Sequence, residues 1–84
     1  MNSFFVDNPY ALDLQEGIVK RIYFLCRTKK VSVNELAKAS GLTPSTIKSI
    51  LYGHSKNTGV VTLNAICVGF NMTLEEFFRS RLFK

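Results

Sequence analysis

SVNELAKASGLTPSTIKSILYG, residues 32–53, reads as two short helices joined by a tight turn. Ser32 and Glu35 form a capping box: the hydroxyl accepts from the amide of residue 35, and the carboxylate reaches back to the amide of residue 32. The helix they open runs to about Ser40. Gly41 marks the turn, because glycine takes a positive φ without steric cost. Thr43 caps the next helix, Pro44 fits its first position, and Gly53 ends it after about Tyr52. Leu36, Ala37, Gly41, Leu42, Ile47 and Ile50 fall on the inside of such a unit, and polar or basic residues fill its outer face. This is the pattern of a helix-turn-helix, whose second helix ordinarily lies in the DNA major groove.

The neighbouring segments read as helices too. Leu14, Ile18, Ile22, Leu25 and Cys26 make one stripe at helical spacing, which predicts a helix from about Leu12 to about Arg27. Asn8-Pro9 suits a helix start. Val60, Leu63, Ile66 and Cys67 predict a fourth helix over Val60 to Gly69. Thr73 and Glu76 form a second capping box, opening a fifth helix at about 74–81. The expected architecture is a compact all-α domain of five helices over residues 11–84. It is preceded by an arm, residues 1–10, whose Ser3-Phe4-Phe5-Val6 is open to three readings: a short strand, a docked segment or disorder.

Eighty-four residues make one small domain, with little core to spare. Hydrophobic residues are 46% of the chain, with seven Phe and three Tyr, which excludes a disordered basic tail. The net charge of +5 is unevenly placed: −3 over residues 1–19, +7 over 20–56 and +1 over 57–84. The excess coincides with the helix-turn-helix, where a basic surface attracts phosphates. Cys26 and Cys67 lack zinc-site spacing and read as reduced core residues rather than a disulfide. No apolar run is long enough for a membrane span, and Phe4-Phe5-Val6 is too short for a signal-peptide core, so the expected location is the cytoplasm. His54 is the only histidine and has no second ligand at metal spacing. No serine or cysteine has an evident base. Glu75-Glu76 is explained by helix capping. The sequence therefore predicts neither enzyme activity nor a metal or cofactor.

From about Leu14 to Phe78 the chain resembles the phage repressor and Cro-like helix-turn-helix family of the xenobiotic-response-element type. The resemblance rests on Leu36-Ala37, Gly41, Ile47, Ile50 and Gly53, and on the closing Leu63…Ile66…Gly69-Phe70-Asn71-Met72-Thr73-Leu74-Glu75-Glu76-Phe77. It implies a five-helix domain that binds operator-like double-stranded DNA, usually as a symmetric homodimer. By position it implies that Thr43, Pro44, Ser45, Lys48 and Ser49 face the groove, and that Ser32, Val33, Lys56 and Asn57 sit near phosphates.

Two departures from the family stand out. Many relatives pair an Arg late in helix one with a Glu late in helix three, where this chain has Cys26 and Leu51. Stranding one partner of a buried ion pair costs about 3–5 kcal/mol, whereas replacing both is often neutral. The double change thus fits the same arrangement with a dry contact. Pro44 stands where many relatives carry a base-reading polar residue. Ser45, Lys48 and Ser49 remain as readers, with no Arg for guanine and no Asn or Gln for adenine.

The apolar end of the chain has two readings: closure of the domain's own core, or a two-fold seam of Leu74, Phe77, Phe78, Leu82 and Phe83. The seam is expected, because those residues exceed what a short last helix hides alone. The composite expectation is a dimeric DNA-binding transcriptional regulator, most simply a repressor. Its rivals are an antitoxin-like protein-interaction module on the same fold and a non-specific nucleic-acid binder.

Overall fold

Five α-helices and a closing 3₁₀ turn follow one another in the computed structural model, which describes residues 9–54 and 57–83. They are α1 (Pro9–Lys29), α2 (Val33–Ser40), α3 (Pro44–Leu51), α4 (Val60–Gly69) and α5 (Leu74–Phe78), with the 3₁₀ turn at Arg81–Phe83. No strand occurs among the described residues. The expectations for Ser3–Val6 and for Asn8 as a cap lie outside them.

Each helix start that the sequence marks is built as its chemistry dictates. The Ser32 amide donates to Glu35 Oε1 at 2.8 Å and the Glu35 amide to Ser32 Oγ at 3.1 Å. Thr73 and Glu76 repeat the arrangement at 2.8 and 3.1 Å. Thr43 Oγ1 accepts from the Thr46 amide at 3.2 Å, with Pro44 in the first turn. α1 starts at Pro9, three residues before the expected Leu12, because proline needs no amide partner in a first turn.

Helix ends show a regularity that the sequence displays only in part. α1 through α4 all close in the Schellman manner. Lys30, Gly41, Gly53 and Asn71 have left-handed backbone, with φ of 56°, 71°, 81° and 60°. The next residue's amide reaches back to the carbonyl five positions earlier: Val31 to Cys26, Leu42 to Ala37, His54 to Ser49 and Met72 to Cys67, each at 2.9 Å. Val31, Leu42 and Met72 then pack against the core. Lysine is an unusual residue in this role, so the end of α1 at Lys29, two residues past the expected Arg27, has no glycine to mark it.

Buried residues come from all five helices. α1 contributes Ile18, Ile22 and Leu25; α2, Leu36 and Ala37; α3, Ile47, Ile50 and Leu51. Leu63, Ile66 and Cys67 of α4 join Phe70 and Phe77. Leu14, expected on the buried stripe, is exposed, since its position lies a turn before the core begins. Both cysteines are free thiols: Cys67 is fully buried and Cys26 half-buried, and burial pushes each thiol above its ordinary value. α2 and α4 approach closely at Gly69, where a β-carbon would collide with Ser40 Oγ and sit 3.1 Å from Leu36 Cδ1.

The C-terminal region differs from expectation. α5 stops at Phe78 instead of about 81, and Arg21 of α1 caps its end. Its Nε donates to the Phe77 carbonyl at 2.7 Å and its Nη2 to the Glu76 carbonyl at 3.0 Å. They are carbonyls of the last helical turn, which need partners beyond the helix, and Glu76's also accepts from the Arg79 amide at 3.2 Å. The chain then folds back, and Phe83 stacks edge-on to Phe78, with centroids 4.8 Å apart, and lies 6.0 Å from Phe77. Phe77 is completely buried. Leu74, Phe78 and Phe83 are half-buried against the same core. Of the residues expected at a two-fold seam, Phe77 is closed off inside the domain and Leu82 is exposed.

Candidate nucleic-acid interface

α3 has a buried face, Ile47, Ile50 and Leu51, and an outer face at helical spacing, Ser45, Lys48 and Ser49, continued by Tyr52 at its C-cap. Ser45, Lys48 and Tyr52 are exposed, while Ser49 is half-buried. Ser49 lines a shallow groove of about 240 Å³ with Thr46, Ile50, Asn57, Thr58, Gly59 and Thr62. Serine and threonine hydroxyls, a lysine and an asparagine thus share one edge of the molecule. Each can donate to or accept from a base edge or a phosphate.

Not every expected contact is free to make one. Thr43 is exposed, but its hydroxyl caps α3 and shares a hydrogen with Thr46 Oγ1 at 3.0 Å. Pro44 is exposed and offers only apolar contact. Ser32 has both its amide and its hydroxyl engaged in the capping box. The Val33 side chain packs against the core, leaving its first-turn amide as what it can offer an anion. Asn57 is exposed beside α3, and Lys56 lies outside the described residues.

Two participants are not evident in the sequence. Tyr52 is exposed one turn beyond Lys48 and extends the α3 face with an aromatic ring and a hydroxyl. Gln15 of α1 holds the loop after α3: its Nε2 donates to Thr58 Oγ1 at 2.9 Å and its Oε1 accepts from the Thr58 amide at 3.1 Å. That pair fixes the loop carrying Asn57 next to the start of α4. Tyr52 could have been found by continuing the 45, 48, 49 spacing one step. Gln15 gave no signal, being a polar residue 43 positions away from its partner.

The basic excess is also redistributed by the fold. Arg21 is committed to the carbonyls at the end of α5. Lys20 pairs with Glu16 across one helical turn at 3.5 Å. The field of Lys29 reaches Glu76. Lys48 therefore stands as the cation of the described α3 face, a smaller charge than the segment total suggests.

An exposed outer face on the second helix of a capped helix–turn–helix defines a DNA-binding domain. A family model for the Cro/C1-type HTH DNA-binding domain matches residues 21–80, and the chain belongs to that family. Comparison with curated proteins and with solved structures finds no significant match. Among the described residues no helix is long and apolar enough to cross a membrane.

Proposed function

We infer that this DNA-binding regulator is a cytoplasmic transcriptional repressor that occupies a roughly palindromic operator as a homodimer. α3 enters the major groove, and the half-sites lie about 34 Å apart. The observation that carries the reading is the outer face of α3. Ser45, Lys48, Ser49 and Tyr52 are presented together, while the opposite face is anchored in the core. Lys48 is suited to guanine O6 and N7, and the serines to several bases. With so few direct readers, part of the specificity comes from DNA shape and half-site spacing. Repression follows from occlusion of the operator.

The dimer seam is better supported on α4 than on α5, because α4 exposes valines and Phe77 is inside. Val60, Val61 and Val68 are 65%, 81% and 62% exposed. The same valines favour the protein-interaction reading if a different chain covers them.

Selection of bound duplexes from a random DNA library, at near-physiological salt, tests the proposal. Enrichment of a two-fold symmetric motif with fixed spacing is the expected result. Binding without enrichment that vanishes as salt rises would leave only the electrostatic attraction and sink the operator reading.

A further inference from the structure

α1 carries a second stripe that the core does not use. Lys20, Phe24 and Arg27 stand at i, i+4 and i+7 on one flank of the helix. The chain's return brings Ser80, Arg81 and Leu82 against that flank. Gly17 lets it come close: a β-carbon there would lie 3.0 Å from a Phe83 ring carbon and 3.2 Å from the Leu82 carbonyl oxygen. The six residues enclose a groove of about 410 Å³.

Its chemistry is one-sided. The apolar lining is Phe24 and Leu82, 43% and 40% exposed. The cations are Lys20, Arg27 and Arg81, and among the described residues no carboxylate lines the groove. Lys20 has Glu16 nearby, but no carboxylate among the described residues pairs with Arg27 or Arg81. Three like charges around exposed apolar surface disfavour the empty groove twice over, by mutual repulsion and by wetted apolar area. One kind of occupant relieves both: a segment with an apolar side chain set between carboxylates. Nucleic acid fits less well. Successive bases stack on successive aromatic rings, whereas this groove offers the one ring of Phe24 beside the aliphatic Leu82.

We propose that the groove between α1 and the 3₁₀ turn docks an acidic amphipathic segment of another protein. Its apolar side chain seats on Phe24 and Leu82, and its carboxylates meet Arg27 and Arg81. None of these residues belongs to the α3 face. The groove stands whether or not the operator reading does.

The probe is a random peptide library displayed on phage and selected on the immobilised full chain. The expected winners carry Asp or Glu on both sides of a Phe, Leu or Trp. Labelled synthetic copies, followed by fluorescence polarisation, lose at least tenfold in affinity for an Arg27→Glu/Arg81→Glu double variant and for Phe24→Ser. Arg27→Gln and Arg81→Gln give smaller losses, and thermal melts establish that each variant is folded. The proposal is overturned by any of three results: no enriched sequence, winners that lack acidic residues, or winners that keep their affinity for the double variant. An oligo(dT) strand that displaces the peptides and is itself lost on charge reversal would give the groove to nucleic acid instead.

Discussion

Lys30 holds a left-handed conformation, φ 56°, where the ends of α2 and α3 use glycine. A β-carbon in that region costs about 1 kcal/mol or more. Lys30→Gly is therefore expected to raise stability by about that amount, read as an upward shift in urea midpoint, and an unchanged or lower midpoint would show that the lysine side chain contributes something the backbone does not reveal. Glu35 belongs to the same scale. Its carboxylate accepts from the Ser32 amide, and that bond, with the Ser32 hydroxyl, holds its pKa below the ordinary carboxylate value. The Thr73 amide does the same for Glu76. A carboxyl lowered on folding adds stability above its unfolded value, and that stability is lost as pH falls through the folded value. Acidification through and below the ordinary carboxylate range should thus loosen the starts of α2 and α5. Glu35→Gln keeps an acceptor in the capping box but cannot titrate. Its thermal midpoint should fall less on acidification than that of the wild type; identical pH profiles would show that Glu35 does not contribute.

Helix existence was legible wherever the chain states its own punctuation. Ser32 with Glu35, Thr43 with Pro44, and Thr73 with Glu76 are local signals, and the structure starts helices at all three. Extents failed where a distant residue takes part. The end of α5 is capped by an arginine 55 and 56 positions away, and no local pattern records that. Part of the apolar excess at Phe77, Phe78 and Phe83 is taken up when the chain folds back on itself, a return that periodicity does not show. The replacement of a family ion pair by Cys26 and Leu51 was readable, and its cost can be measured. Leu51 is buried in the core, and Cys26 packs against it from α1. Leu51→Glu alone places an unpaired charge there and is expected to cost about 3–5 kcal/mol. Adding Cys26→Arg should recover part of the loss in a double-mutant cycle. A melting temperature unchanged by Leu51→Glu would contradict the burial of Leu51 between these helices.

On the scale of the whole molecule, α4 is the element that the domain leaves unfinished. Its ten residues, VVTLNAICVG, contain no charged side chain. Beside Thr62 and the exposed Asn64 its other positions are mostly apolar, and apolar helix surface is ordinarily covered. Here Leu63, Ile66 and Cys67 face inward, and Val60, Val61 and Val68 face solvent. A two-fold contact sets a patch against its own copy, so in a chain of net charge +5 an uncharged patch avoids self-repulsion. Three valines fall short of the roughly 800 Å² per partner that a standard interface buries. The expected dimer is therefore weak alone and completed on DNA, where two adjacent half-sites raise the local concentration. Sedimentation should show a monomer at micromolar concentration and two chains on a duplex with two half-sites. Val61→Asp is an exposed change, so its stability should stay within about 0.5 kcal/mol of wild type. Its affinity for a single half-site should be unaltered, but it should lose the cooperativity seen on the paired site. Equal cooperativity in the variant would remove α4 from the dimer contact while leaving recognition by α3 untouched.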